Sequence, residues 1–516
     1  MNIKYLACSL AITVGTWLLP CKVSAQFNWP YKIVNGVVKT EVPVRPVGQK
    51  SALLLTTPKL KVVRVGFVGL GWRGSEAVRR WTYQEGIQVI GLCDHEKDRV
   101  EKANNRLRQA GLPPAEEYSG EYGYKALCER SDVDLIYIAT DWKHHVPIAK
   151  YALEHGKNVA IEVPSAMNLH DCWDLINLSE QKQLHCMMLE NCCYDFFELN
   201  TLNMAQHGLF GEVLYASGAY RHWLDNGEYW TAYWGNGPED KLHWRLDYNM
   251  RFRGDVYPTH GLGPVAQVMN IHRGDRFTTL TAMDTKSVRG KASAEKLSGE
   301  TVDFRNGDIT TTLLRTEKGK VIQVMHDVMT PQPYNRMYQI IGTHGIANKY
   351  PSEGYALDTD GMKRAGIQKS SNYQDGEVYL PTADFNALVK KYESPMVTKY
   401  VKKAKEVGGH GGMDFIEDSR LIYCLQHGLP FDIDVYDMAE WCCLAELGSI
   451  SMDNGSLPVE VPDFTRGHWQ DIKGYQHAYA PEAEEEIQDR ANHEFTVKLK
   501  ATAEKLWKKY DKKHKK

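Results

Sequence analysis

Three glycines open the chemistry of this chain. Gly69-Leu70-Gly71-Trp72-Arg73-Gly74 is a G-x-G-x-x-G hexapeptide. The glycines differ in purpose, since the first makes a tight turn, the second lets backbone approach a pyrophosphate, and the third lets a following helix pack on the preceding strand. A helix N-terminus at that point turns unpaired amides and a partial positive charge toward phosphate. Asp94 falls where a second strand would end. A carboxylate there accepts hydrogen bonds from both ribose hydroxyls and repels a 2′-phosphate, so the pair predicts a site for NAD rather than NADP.

A second group lies near the middle, in Tyr257-Pro258-Thr259-His260-Gly261-Leu262-Gly263-Pro264. Proline and glycine at these positions put His260 in a loop or at a helix start beside a domain junction. Tyr257 and Thr259 add hydroxyls, and Arg245 adds a planar fork of donors; such a cluster suits a polyhydroxylated ligand. Taken singly, each tyrosine is as much a packing residue as a ligand contact. Gly408-Gly409-His410-Gly411-Gly412 brackets another histidine with glycines, which fits either a flap over a site or a plain turn before a helix. The histidines, His144-His145 included, have no H-E-x-x-H or Cys/His spacing, so no metal site is expected.

Elements in alternation must position these groups. Residues 62–68 read as a buried strand ending directly before Gly69. Residues 75–84 have helical spacing, and a strand follows at 87–93. Then come a polar helix near 95–110, a strand at 135–140, a helix near 145–154 and a strand at 158–161. That order predicts the α/β class: a parallel sheet with right-handed crossovers, forming a Rossmann domain over 61–190. After about residue 191 the strands come in series, at 212–220, 278–282, 309–316, 320–326 and 337–342. They predict an α+β domain over 191–480 with an open, largely antiparallel sheet. Helical spacing returns at 414–426 and 436–449. Residues 26–60, with Pro30, Pro43, Pro46 and Pro58, form an N-terminal arm, and 481–516 form a charged helical tail whose lysines suit a solvated face.

The start of the chain bears on compartment. Residues 1–4 are a short basic segment, 5–19 a mostly apolar run too short to span a bilayer comfortably, and Val23-Ser24-Ala25 offers small residues ahead of Gln26. The pattern predicts a signal peptide over 1–25, cleaved on export to the periplasm. A lipidated Cys21 is the alternative, disfavoured by Pro20 where a small residue is wanted. No further membrane span is expected. With 516 residues, 43% hydrophobic and 25% charged, the remainder is globular, and a formal net charge of −3 argues against a nucleic-acid partner. Removing Cys8 and Cys21 leaves nine of eleven cysteines, an odd number with two adjacent pairs. Buried free thiols fit better than a disulfide framework, with a single disulfide left open.

The glycine fingerprint, Ala139-Thr140 followed by His145, and Glu162-Val163-Pro164 together resemble the glucose-fructose oxidoreductase and inositol dehydrogenase superfamily over most of the chain after Lys61. Its dehydrogenases carry Glu-Lys-Pro, where the lysine helps to deprotonate the sugar hydroxyl; Val163 stands in that place here. A narrower resemblance accounts for the departure. Glu190-Asn191-Cys192-Cys193-Tyr194, Trp244-Arg245-Leu246, the octapeptide from Tyr257 to Pro264, and Pro333-Tyr334-Asn335-Arg336 resemble glycoside hydrolase family 109, whose described activity is NAD-dependent α-N-acetylgalactosaminidase.

The resemblance implies that Trp72, Arg73, Asp94, Trp142, Lys143, His144, His145, Glu162, Val163, Asn191 and Tyr257 line the NAD beside Gly69, Gly71 and Gly74. It implies that Tyr220, Arg245, Tyr257, Pro258, Thr259, His260 and Tyr334 line a carbohydrate substrate. A glycosidase with two catalytic carboxylates would leave a bound NAD idle. The redox route instead expects oxidation at sugar C3, deprotonation at C2, elimination, water addition and re-reduction. His260 then works on the C3 hydroxyl proton, with Tyr334 or Tyr220 near C2. An exported NAD-dependent sugar dehydrogenase is the alternative, a non-catalytic sugar sensor comes third, and a homo-oligomer is compatible with each.

Overall fold

A computed structural model describes residues 29–225, 243–368, 376–480 and 490–514, with side chains described for 500–512 of the last segment. The signal peptide expected over 1–25 lies outside the described residues. The first described elements are two short strands, β1 (Tyr31–Val34) and β2 (Val37–Thr40), paired as an antiparallel hairpin.

The next six strands are β3 (Val63–Val68), β4 (Ile87–Asp94), β5 (Glu116–Ser119), β6 (Leu135–Ile138), β7 (Asn158–Glu162) and β8 (Cys186–Leu189). They form one sheet in the order β5-β4-β3-β6-β7-β8, parallel throughout. That is the doubly wound arrangement, whose order reverses at β3. β3, β6, β7 and β8 are almost continuously buried, because helices cover both faces of a parallel sheet. β5 and β8 were absent from the sequence expectation. β5, Glu-Glu-Tyr-Ser, is a half-exposed edge strand without an apolar run, and β8 is four residues long. The first helix, Trp72–Trp81, begins three residues earlier than its apolar spacing suggests, inside the hexapeptide with Gly71 as its N-cap.

The remaining strands are β9 (Val213–Arg221), β10 (Phe277–Asp284), β11 (Thr310–Thr316), β12 (Val321–Asp327), β13 (Gln339–Gly342), β14 (Gly345–Asn348), β15 (Gly354–Leu357) and β16 (Val459–Glu460). With the hairpin they build a ten-stranded sheet, β1-β2-β16-β10-β11-β12-β9-β13-β14-β15, antiparallel except at β12/β9 and β16/β2. The helix expected over 436–449 is two, Val435–Cys442 and Leu444–Asp453, which meet at Cys443.

Both chain ends are more integrated than composition suggests. From residue 29 the arm joins the large sheet through β2, Trp29 donates its backbone N–H to Glu446, and Arg45 forks onto the buried Glu180. The tail helix, Arg490–His514, does not carry all its faces in water. Trp507 is buried and donates to the Leu112 carbonyl at 2.5 Å, while Arg108 stacks on its ring at 3.9 Å and pairs with Asp511. A charged composition hid one apolar stripe. All nine cysteines among the described residues are buried free thiols. No helix among those residues is long and apolar enough to cross a membrane.

Candidate active site

The glycine loop joins β3 to the first helix, and its three glycines differ. Gly69 sits at φ 90°, and a Cβ there would lie 2.6 Å from the Ala139 carbonyl carbon. A Cβ on Gly74 would lie 1.8 Å from the Gly69 carbonyl oxygen. These two serve the protein's own packing. A Cβ on Gly71 would meet nothing nearer than Arg99 Nη1 at 4.0 Å. The open ground above Gly71 is the room a pyrophosphate needs. Asp94 ends β4, where one carboxylate oxygen accepts the Leu70 N–H at 2.6 Å and the other the Glu96 N–H at 2.9 Å. It therefore braces the glycine turn, a role the sequence did not reveal.

Behind the loop lies a buried ionic network. Arg73 reaches Glu162 at the end of β7 (2.7 Å) and Asp414 (2.8 Å), and Asn191 donates to the other Asp414 oxygen at 2.6 Å. Burial raises the Asp414 pKa, but Arg73 and Arg80 more than offset it and hold the group well below the usual carboxylate range. His410, half exposed, has Nδ1 3.0 Å from Asp414 and 3.2 Å from Arg73. The glycine-rich segment is thus docked on the cofactor loop at the head of the Met413–His427 helix.

The predicted cofactor residues on the Trp142–Glu154 helix separate by role. Lys143 and His144 are exposed, and His144 is hydrogen-bonded to Asp141; Trp72 is 66% exposed on the glycine loop. His145 is buried with its ring nitrogens 3.0 Å from the Pro164 carbonyl and 3.1 Å from the Thr140 carbonyl, and burial lowers its pKa. It ties the ends of β6 and β7 together. Trp142 donates to the Val163 carbonyl at 3.2 Å and packs against Tyr257 with ring centres 5.8 Å apart. That ring contact joins the end of the parallel sheet to the segment that carries Tyr257 and His260.

The second half of the candidate site depends on a close backbone approach. The helix Thr259–Val268 lies directly on β9: a Cβ on Gly218 would be 1.9 Å from the Gly261 oxygen, and one on Gly261 would be 2.4 Å from the Ala219 nitrogen. A Cβ on Gly263 would press on Trp441 at 2.9 Å and Glu190 at 3.1 Å. This intimacy sets His260 beside Tyr220 (5.3 Å between ring centres) and Tyr257 (4.9 Å), with those tyrosines 4.6 Å apart. Residues 335 and 221 exchange backbone hydrogen bonds at 3.0 and 3.2 Å, so Tyr334 stands at the rim, 6.5 Å from Tyr220. Arg245 lies over Trp142 (5.3 Å) and Tyr257 (5.6 Å). Trp142, Tyr220, Arg245, Asn249, Tyr257 and His326 line a small cleft. Pro258 and Thr259 are buried at the helix start and support the wall.

Four neighbours of the predicted residues escaped the sequence reading: Glu190, His222, His326 and Asp414. His222 lies 3.2 Å from the Tyr220 hydroxyl, and burial, with His260 and Arg245 nearby, pushes it down to about 4. Glu190 has Oε1 2.6 Å from His260 Nδ1. An acid at the C-terminal end of the last parallel strand was a usable signal, since ligands gather at that edge. Glu190, Cys192 and His260 offer donor atoms within 4.8 Å of one another, a spacing a metal could bridge. The Arg336 guanidinium 2.9 Å from the Cys192 sulfur already brings a positive charge to that place.

Comparison with known proteins follows the same division of the chain. Residues 63–190 match the oxidoreductase family model for the NAD-binding Rossmann fold, and residues 194–471 match the glycosyl hydrolase 109 C-terminal domain. A relative from Phocaeicola vulgatus, glycosyl hydrolase family 109 protein 5, is 60% identical over 98% of both chains. The chain belongs to glycosyl hydrolase family 109. Protein 1 of this family from Bacteroides thetaiotaomicron is 54% identical over 90% of this chain and 98% of its own. Among solved structures, levoglucosan dehydrogenase with NADH and L-sorbose superposes with a TM-score of 0.57 at 17% identity, covering 78% of this chain and all of that one. That likeness carries the fold. As a family 109 member the protein is an NAD-dependent glycosidase, and the open space at Gly71 together with Asp94 fits the dinucleotide.

Proposed function

We propose that this protein cleaves glycosides of N-acetylgalactosamine or a close relative by transient oxidation of the sugar ring. The observation that carries the reading is the clustering of the Tyr220, Tyr257 and His260 rings beside a small cleft that Tyr220, Tyr257 and Trp142 line, with Trp142 also bonded to the Val163 carbonyl at the end of the parallel sheet. When bound, NAD supplies a hydride acceptor and donor for sugar C3. The chain's own residues bind the sugar and move the protons. His260 takes the proton of the C3 hydroxyl through a ring nitrogen. Tyr220, paired with His222, or Tyr334 at the rim serves C2. Arg245 offers its fork to ring or acetamido oxygens. His410, half exposed between glycines, is held by Asp414 and Arg73 beside the cofactor loop.

Val163 supports this reading over a simple dehydrogenase, because no lysine stands there to serve as base. We also propose that residues 1–25 direct export and are removed, so that the exported chain begins near Gln26; an intact Met1 or a lipid on Cys21 on N-terminal analysis refutes this. The decisive experiment is a panel of nitrophenyl glycosides assayed in heavy water with and without added NAD. Cleavage that needs NAD, deuterium at C2 of the released sugar, and no net NADH are expected. Robust cleavage after the cofactor is stripped, without deuterium at C2, overturns the redox route. Steady NADH accumulation with a free sugar instead identifies a dehydrogenase.

A further inference from the structure

We infer that Glu190 is the positioning residue of His260: its carboxylate fixes the imidazole as the tautomer with the proton on Nδ1, leaving Nε2 as the base. The inference rests on the proposed role of His260 in proton transfer. Glu190 directly follows β8, the last strand of the parallel sheet, whereas His260 lies in the first turn of a helix packed on β9 of the other sheet. Their hydrogen bond is therefore a tie between the cofactor side and the sugar side at the reacting centre.

The geometry determines the direction of that bond. Glu190 is fully buried, with Oε1 2.6 Å from His260 Nδ1 and 3.1 Å from the Cys192 N–H, which donates to it. Burial raises its pKa, but the His260 ring, the Thr259 hydroxyl and the Cys192 N–H together bring it below the ordinary carboxylate value. An ionised carboxylate only accepts, so Nδ1 must carry the hydrogen. In a neutral ring Nε2 then keeps its lone pair, the form a base requires. Once the ring takes a proton, the adjacent carboxylate stabilises the imidazolium. Among the described residues, the titratable and charged groups around the ring include Glu190 and Cys192 from the first sheet's edge, Tyr220 and His222 from β9 and its continuation, Tyr257 from its own loop with Arg245 over it, and Arg336 behind Cys192. Glu190 is the group hydrogen-bonded to Nδ1.

The test joins a spectroscopic readout to a mutant cycle. In protein with 15N-labelled histidine, assigned with His260→Ala, His260 should be protonated on Nδ1 and bare on Nε2 at neutral pH; the opposite tautomer overturns the inference, and this measurement needs no Glu190 variant to fold. Glu190→Gln keeps the shape and removes the charge. It should lower kcat about a hundredfold with KM changed less than about threefold, and move the acidic limb of the kcat/KM profile about one unit to lower pH. Glu190→Asp should recover part of the rate. In the His260→Ala background, Glu190→Gln should cost nothing further, because it acts through the ring. Multiplying effects, or a loss through KM with an unmoved pH limb, make Glu190 a structural brace and refute the assignment. The tautomer and the cycle are independent of the C2 deuterium experiment, so each reading can fail without the other.

Discussion

The two halves of the site use glycine in opposite ways. In the cofactor loop Gly71 leaves open ground above the backbone, whereas between β9 and the His260 helix Gly218 and Gly261 fill theirs with each other's backbone. The first arrangement leaves the backbone accessible; the second is a joint between two pieces of protein. A substitution at the first should be felt in binding, and one at the second in folding, although both remove a glycine from the same catalytic assembly.

The largest effect is expected where chemistry and not space is removed. His260→Ala should lower turnover by about a hundredfold to ten-thousandfold, the usual range for a lost proton-transfer group. Its NAD affinity, measured by titration calorimetry, should change less than about twofold. An equal loss of NAD binding would assign His260 to the cofactor side and erase the distinction between the halves. Next comes the joint itself. Gly261→Ala puts a methyl group 2.4 Å from the Ala219 nitrogen, and backbone atoms cannot step aside as a side-chain tip can. Overpacking of this kind costs about 1–3 kcal/mol, at times more. Thermal unfolding should show the loss, and an unchanged melting temperature would mean that the helix does not rest on β9 as described.

The same contrast explains what was legible in the sequence. Glycine spacing, a strand before it and Asp94 after it are local, so the Rossmann half could be read directly. The parallel strands β3, β4, β6 and β7 announced themselves as apolar runs, while polar edge strand β5 and four-residue β8 gave no such pattern. On the sugar side His260 and Tyr257 stood in one octapeptide. Their partner Glu190 is 70 residues away, and no spacing rule joins the end of one sheet to the helix of another. Asp414 was invisible as an anchor for the same reason: its bonds to Arg73 and Asn191 span 341 and 223 residues. The tail helix keeps its described lysines in water as expected, but composition did not show that the buried Trp507 docks it.

Asp94 combines both kinds of role and should give a mixed result. Asp94→Ala deletes the ribose acceptor and also orphans the buried Leu70 N–H that it accepts at 2.6 Å. Leaving a buried donor unpaired costs about 1–3 kcal/mol. NAD affinity should fall and the preference against NADP should relax, with a melting temperature lowered as well. Equal affinity of the unmutated protein for the two dinucleotides would refute the selective role.

Gly71→Ala is the smallest perturbation to the fold and the sharpest test of the comparison. The residue sits at φ −62° and ψ −161°, a conformation open to any amino acid, and its new methyl group would touch no protein atom closer than 4.0 Å. The cost to the fold is that of a poorer N-cap, about 0.5–1 kcal/mol, so the melting temperature should barely move. The methyl group does occupy the ground assigned to the pyrophosphate, where backbone must come close. NAD affinity should therefore fall by at least about tenfold, a difference of about 1.4 kcal/mol, while the intrinsic stability of the NAD-free protein stays nearly constant. If Gly71→Ala instead unfolds the protein as Gly261→Ala does, the space above Gly71 is part of the protein's own packing. If it does neither, the pyrophosphate lies elsewhere on the loop.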